Sequence, residues 1–422
     1  PKCGRTGRRK TRGTRRVRSL ALGREAWLEI SFGVYRSRCG CQGTFQSFPE
    51  EAPPGWRYTR AVRRAVVDGI IRDQMPTTRL RVRLREDFKM PLSVGFVYEC
   101  LDWAYQRVSQ EDYRRWAREN FSGVLCVDEL HDSRDRKLLL ATDPLNDFTV
   151  LFRIVRKCDQ ESMNAFLDDL KAMGIEPRVT ITDGSPLYKE ALFERWRLVE
   201  HQLCVFHVLK DANDHVLRAV RALAKTLPET KKYRRGRPRK RGRPRKPDLR
   251  RSFVMERVHL VVRRRDRWTD EDRQDWAKMR RILPELEIVR RLVDELHGLF
   301  EKGLTKKTAR LRRTRLVSNP AYRRNPHLDR VCRMLPKARF DKMITFLGWT
   351  NVDRTSNHVE RSNRSFRQMQ KTRYKRRHAT TITRALWLLT FRRWMEHPLY
   401  PRPQAHAPPG PVFMTPPVRK AA

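Results

Sequence analysis

The sequence predicts a mixed α/β fold whose strands are interrupted by a long, mainly helical insertion and preceded by a helix-turn-helix. Three observations predict it. First, Val124-Leu125-Cys126-Val127 and Val179-Thr180-Ile181-Thr182 are short apolar or β-branched runs, each followed at once by an Asp, with the length of buried strands. Second, Lys137–Ala141 and Phe148–Val155 read as strands between polar turns, and Gln160–Met173 as an amphipathic helix, which gives the order strand, strand, strand, helix, strand. Third, apolar positions before this region recur at helical spacing: Ala61, Ala65, Val66 and Ile70, then Leu80 and Leu84, then Val94, Val97, Leu101 and Trp103. Met90-Pro91 separates the second helix from the third, and Ser93 is placed to cap the third, the layout of a helix-turn-helix.

The remaining segments follow in order. Residues 1–50 are basic and short of periodic apolar positions, so they predict a small unit that needs a metal to hold it. The helix-turn-helix occupies 55–110 and the first part of the α/β core 120–210. After Phe206 the chain is helical through Leu223, and the basic stretch 231–247 loses periodicity and is expected to be disordered. A second helical tract carries Trp276, Met279, Leu283, Leu286, Val289, Leu292, Leu296 and Leu299, and 211–340 is read as one insertion. The core resumes over 341–397 with an apolar helix from Ile382 to Trp394. The proline-rich tail 398–422 is expected to lack structure.

Charge narrows the partner. Across 422 residues, 94 Lys and Arg face 48 Asp and Glu, a formal charge of +46. A surplus of that size repels itself unless a polyanion is near, so double-stranded DNA is the first partner to consider. Without an apolar run near 18 residues or a signal-peptide pattern, the chain is read as soluble, cytoplasmic and associated with chromosomal DNA. The eight cysteines are unevenly spread and do not form a secreted disulfide framework.

The candidate chemistry lies in acids. Asp128 and Asp183 would emerge at the ends of two buried strands of one sheet, where distant positions meet. Glu360 lies in a predicted helix with Asp353, Asn357, Glu360, Arg364 and Arg367 on one face and Val359, Phe366 and Met369 on the other. Taken singly, each acid reads as a cap or turn residue. Three clustered carboxylates, however, repel one another unless metal neutralises them, and hard oxygen ligands suit two ions of Mg2+ or Mn2+. Such a pair activates a water or 3′-hydroxyl and stabilises the leaving oxygen in phosphodiester displacement.

Val127-Asp128-Glu129-Leu130, Ile181-Thr182-Asp183-Gly184-Ser185 and Ser356-Asn357-His358-Val359-Glu360-Arg361 resemble the three acidic motifs of DDE transposases from insertion sequences. Cys204-Val205-Phe206-His207 is similar to the Cys-x-x-His motif that comes after the second aspartate in several such families. Fifty-five positions separate Asp128 from Asp183, and 177 separate Asp183 from Glu360, as in families with a helical insertion before the glutamate. The resemblance implies an RNase H-like catalytic domain and metal-dependent strand cleavage and transfer, with a homo-oligomer assembled on DNA. On their own physics Cys204 and His207 read as buried core residues; a His near the scissile phosphate is the alternative, donating to an oxyanion or shuttling a proton.

Residues 235–246 repeat Arg-Gly-Arg-Pro-Arg-Lys twice. Each half resembles an AT-hook, with Arg235, Arg237, Arg241 and Arg243 entering a narrow minor groove beside an extended Gly-Arg-Pro core. A basic loop that touches only phosphates is the other reading. In the helix-turn-helix, Ser93 and Tyr98 would meet bases or phosphates, against the alternative of a plain three-helix module. Cys3, Cys39 and Cys41 resemble remnants of a zinc ribbon that would bind Zn2+, although Cys39 and Cys41 are one residue apart where a knuckle has two, and the partner of Cys3 would precede Pro1. Two rival functions stand beside transposition: a transposase-derived architectural or regulatory DNA-binding protein without catalysis, and a nuclease that never joins strands.

Overall fold

A computed structural model of the chain describes residues 7–38, 43–131, 136–228, 248–356, 358–359 and 378–400. It opens with an antiparallel ribbon, Gly7–Ser19 (β1) against Ala26–Ser37 (β2), with Thr44–Gln46 (β3) beside β2. The expectation of a small metal-held unit in 1–50 thus meets a ribbon of 13-residue and 12-residue strands. Two glycines explain how so polar a sequence holds a ribbon. A Cβ on Gly13 would lie 2.6 Å from the Phe32 ring, and one on Gly7 2.6 Å from the Phe45 ring, so aromatic side chains cover the gaps. Backbone bonds fix the ribbon to the first helix: the Arg18 amide donates to the Arg57 carbonyl (3.0 Å) and the Thr59 amide to the Arg18 carbonyl (2.9 Å).

Four helices come next: Arg60–Ile71 (α1), Thr77–Phe88 (α2), Val94–Tyr105 (α3) and Gln110–Glu119 (α4). Val66, Ile70, Leu80, Leu84, Val97, Leu101 and Trp103 are buried in this region, as their spacing predicted, and Val62 joins them, whereas Ala61 and Ala65 are only partly buried and Val94 is exposed.

The central sheet has five strands: Val124–His131 (β4), Lys137–Asp143 (β5), Phe148–Val155 (β6), Val179–Thr182 (β7) and Glu200–Leu203 (β8), in the order β6-β5-β4-β7-β8. β5 runs antiparallel to β4 and β6, whereas β7 is parallel to β4 and to β8. β4 is central, so Val124 through Val127 are buried on both faces, which is why the run is continuously apolar. Between β6 and β7, Gln160–Ala172 (α5) buries Met163, Phe166, Leu167 and Leu170, capped by Asp159 accepting from the Ser162 amide at 2.9 Å. Lys189–Arg195 (α6) leads to β8, a strand too short to announce itself in the sequence.

Val205–Ala224 (α7) leaves β8 and opens a helical region of Arg250–Glu256 (α8), Asp270–Ile282 (α9), Leu286–Gly298 (α10), Lys306–Ser318 (α11), Pro320–Arg323 (α12), Pro326–Arg333 (α13) and Lys337–Met343 (α14). The chain then returns to the strand it left. Gln202 of β8 donates to the Met343 carbonyl (2.9 Å) and accepts from the Phe346 amide (2.8 Å), and Thr345 donates to the His201 carbonyl (3.0 Å). Ala379–Glu396 (α15) closes the described chain. Its Trp387 and Trp394 meet Tyr113 edge-on at 5.8 and 5.5 Å, and Trp387 packs on Phe152 of β6 at 5.0 Å, joining α4 to the sheet. The result is a mixed α/β architecture in which, among the described residues, no helix is long and apolar enough to cross a membrane.

Candidate active site

Sheet register sets the site. Cys126 pairs with Ile181 across the parallel β4–β7 ladder, so two residues further on Asp128 and Asp183 stand in line. Side chains alternate along a strand and paired residues share a face, so Cys126, Asp128 and Ile181 point to one side, and Asp183, just past the end of β7, is near enough to Asp128 that both charges act on His207 and Tyr188. β7 ends at Thr182 while β4 continues to His131, which places Asp128 beyond the last parallel partner and Asp183 in the turn. Both acids are half-buried. Gly184 has φ +92°, a conformation that glycine alone adopts without strain, and the Ser185 amide donates to Asp183 Oδ1 at 2.9 Å, fixing the carboxylate at the turn.

The same face is covered by the segment that leads to Glu360. Thr142, which pairs with Cys126, meets His358 Nδ1 through its hydroxyl at 3.1 Å, and His358 Nε2 contacts the Asp147 carboxylate. Val359 is fully buried. One step earlier, Ser356 donates to the Cys204 sulfur, and the Val205 amide donates to the Arg354 carbonyl at 2.9 Å. Cys204 is itself level with Asp183, because Leu203 pairs with Thr182 and the Cys204 amide donates to the Thr182 carbonyl at 2.8 Å. Glu360, Arg364 and Arg367 lie outside the described residues.

His207 sits one turn into α7. Its interaction with the Cys204 thiol, reinforced by the negative charge of Asp183 and Asp128 and opposed by burial, pushes its pKa up to about 9. Burial alone would push the Cys204 thiol up; hydrogen bonding by His207 and Ser356 outweighs it and draws the thiol down. The His207 Nδ1 is buried and has no hydrogen-bond partner among the described residues. Tyr188 is wholly buried nearby, and burial together with Glu129, Asp183 and Asp128 raises its phenol far above the ordinary range, so it stays neutral.

Among the described residues, no group of three or more His, Cys, Asp or Glu side chains forms a metal cage. The two aligned aspartates supply an incomplete set of hard oxygen donors, which fits Mg2+ or Mn2+ once a third acid joins it. Cys3, Cys39 and Cys41 fall outside the described residues, as do Arg235, Arg237, Arg241 and Arg243. Ser93 caps α3, accepting from the Phe96 amide at 3.1 Å, and Tyr98 is 40% exposed one turn along. The anchoring roles of Ser356 and His358 were invisible in the sequence, although both lie within the motif that ends at Glu360. Asp147, in a turn with φ +54°, carried no signal at all.

The family model DDE_Tnp_ISL3, described as a transposase, matches residues 125–382. That span takes in Asp128, Asp183, Cys204, His207 and Glu360. No curated protein matches the chain.

Proposed function

Because the chain belongs to the DDE_Tnp_ISL3 transposase family, we propose that it binds the ends of its element and performs metal-dependent cleavage and joining of DNA strands at Asp128, Asp183 and Glu360. One observation carries the reading: the register that aligns Asp128 with Asp183 at the end of the sheet over which Ser356 and His358 are anchored. That arrangement supports an RNase H-like core in which the third acid, one residue after buried Val359, joins the first two. In this reading the Cys204 and Thr142 contacts anchor the segment that leads to Glu360.

When bound, two divalent ions would activate the attacking oxygen and neutralise charge on the leaving one. The protein's own residues hold and orient. The three carboxylates ligate, His207 donates a proton or hydrogen bond to a phosphate oxygen, and the +46 surplus attracts the substrate. In cleavage, water attacks phosphorus and the 3′-oxygen leaves, taking a proton. In joining, that 3′-hydroxyl attacks a target phosphodiester, loses its proton and displaces the target's 3′-oxygen. Upstream, the exposed start of α3, with Ser93, Val94 and Tyr98, is the surface offered to the groove, and the repeat at 235–246 is a pair of minor-groove hooks.

The test incubates the full chain with labelled element ends, Mg2+ and a target plasmid. Cleaved and joined products are expected, and both should vanish with Asp183→Ala. Binding without any cleavage would favour an architectural role, and cleavage without joining a nuclease.

A further inference from the structure

The first strand of the β1–β2 ribbon is the most basic regular element described. Gly7–Ser19 carries seven Lys or Arg and no acid, and beneath it lies only a small cluster of Val17, Ile30 and Ala52, separate from the main core. The two faces of the ribbon differ. On one, Ile30 and Val17 are buried, and Arg15 is occupied by the carbonyls of Ala52 and Pro53. On the other, register places Arg12 opposite Gly33, Thr14 opposite Ser31 and Arg16 opposite Glu29, and beyond the bulge at Lys10 it places Arg9 opposite Tyr35. Arg9, Arg12, Thr14 and Arg16 are all exposed. Among the described residues neither Arg9 nor Arg12 forms an ion pair, while Arg16 meets Glu29 only at 3.9 Å with both side chains more than 60% exposed, too weakly to be neutralised by it. Further along this face Trp27 is 53% exposed, with the Arg18 guanidinium 5.3 Å from its ring centroid.

We propose that this face of the β1–β2 ribbon is a docking surface for double-helical DNA, gripped by Arg9, Arg12 and Arg16. The identity of the polyanion rests on the transposase reading; the fit of ribbon to groove is independent of it. A two-stranded antiparallel ribbon fits the major groove of B-form DNA, and 13 residues at about 3.4 Å each span more than one helical turn of duplex. The deep, narrow major groove of an A-form RNA duplex does not admit it. The backbone bonds between Arg18 and residues 57 and 59 hold the ribbon at a set angle to α1–α3, so the duplex would meet two elements in fixed phase.

Binding of the full chain to a B-form DNA duplex, without divalent ion, tests this across a salt series. Arg9→Gln, Arg12→Gln and Arg16→Gln together are compared with a charge-matched triple on the helical region, Arg267→Gln, Lys278→Gln and Arg281→Gln. The ribbon triple is expected to lose at least about tenfold in affinity, with the slope of log K on log salt shallower by about 0.9 for each phosphate no longer neutralised. The control triple should lose several times less. Equal losses in the two triples, or no loss in the ribbon triple, would overturn the proposal, as would an equal loss by the ribbon triple on an RNA duplex of the same length. If the triple lowers the melting temperature, single Arg12→Gln, at an exposed position without a described ion-pair partner, gives the same comparison on a smaller scale. Because no divalent ion is present, failure of cleavage in other assays bears on the transposase reading alone.

Discussion

Ser356 donates twice to Cys204: its amide lies 3.3 Å and its hydroxyl 3.1 Å from the buried sulfur. The pair ties the strand level of Asp183 to the segment that ends at Glu360. Cys204→Ala would strand two buried donors, at a cost of about 1–3 kcal/mol. The expected result is a lower urea midpoint and a cleavage rate reduced at least about tenfold, with Cys204→Ser, which keeps an acceptor, much closer to wild type. A Cys204→Ala protein that cleaves at the wild-type rate would remove the sulfur from any positioning role.

His201, held in β8 with Nε2 2.8 Å from Thr182 Oγ1, has its pKa lowered by burial, and secondarily by Lys342, to about 4. Its folded value lies below the unfolded value of about 6.5, so the unfolded chain binds the extra proton first. Its contribution is fully present above pH 6.5 and is lost as pH falls toward 4, by about 3 kcal/mol in all. Urea titrations of wild type and His201→Gln across this window should converge toward acid pH. Parallel curves would show that His201 is not held neutral.

Single changes of Asp128, Asp183 or Glu360 to Ala should abolish strand cleavage while duplex affinity stays nearly constant, because a ligand set missing one member loses its geometry but the basic surface remains. Gel-shift and cleavage assays on one preparation separate the two. Substantial Mg2+-dependent cleavage by Glu360→Ala would exclude it from the site.

The paired repeats at 235–246 admit a sharper measurement. Replacing Arg237 and Arg243 with Lys keeps the charge but removes the planar fork and adds dehydration cost, so affinity should fall more on AT-rich than on GC-rich duplexes at one salt concentration. Equal losses on both would identify a basic tether.

The sheet was legible in the sequence where burial is two-sided. Val124–Val127 and Val179–Thr182 are apolar or β-branched because neither face meets water, and the acids next to them stand out for that reason. β1 was not legible. Its arginines face solvent, and it is held by register, by rings laid over Gly7 and Gly13 and by backbone bonds at Arg18, none of which leaves an apolar period. β8 escaped for a different reason: in four residues, Glu200 to Leu203, the polar side chains of His201 and Gln202 are buried because each has a partner elsewhere in the chain. Ser356 and His358 were visible as letters of a motif, yet their work depends on Cys204, Thr142 and Asp147, contacts made across more than 150 positions.

The helical region leaves the sheet at Val205, returns to β8 at Met343 to Phe346, and is beside Val205 again at Arg354, where an amide-to-carbonyl bond completes the closure. Closing a long loop depends only weakly on its length, each doubling costing about 0.6 kcal/mol. The sheet is therefore nearly indifferent to how much chain lies between those two residues. Descendants of this sequence are free to lengthen, shorten or exchange that region, provided His201 to Cys204, Met343 to Phe346 and Arg354 to Ser356 keep their places. Variation among them should accordingly collect between α7 and α14 while the five strands keep constant length.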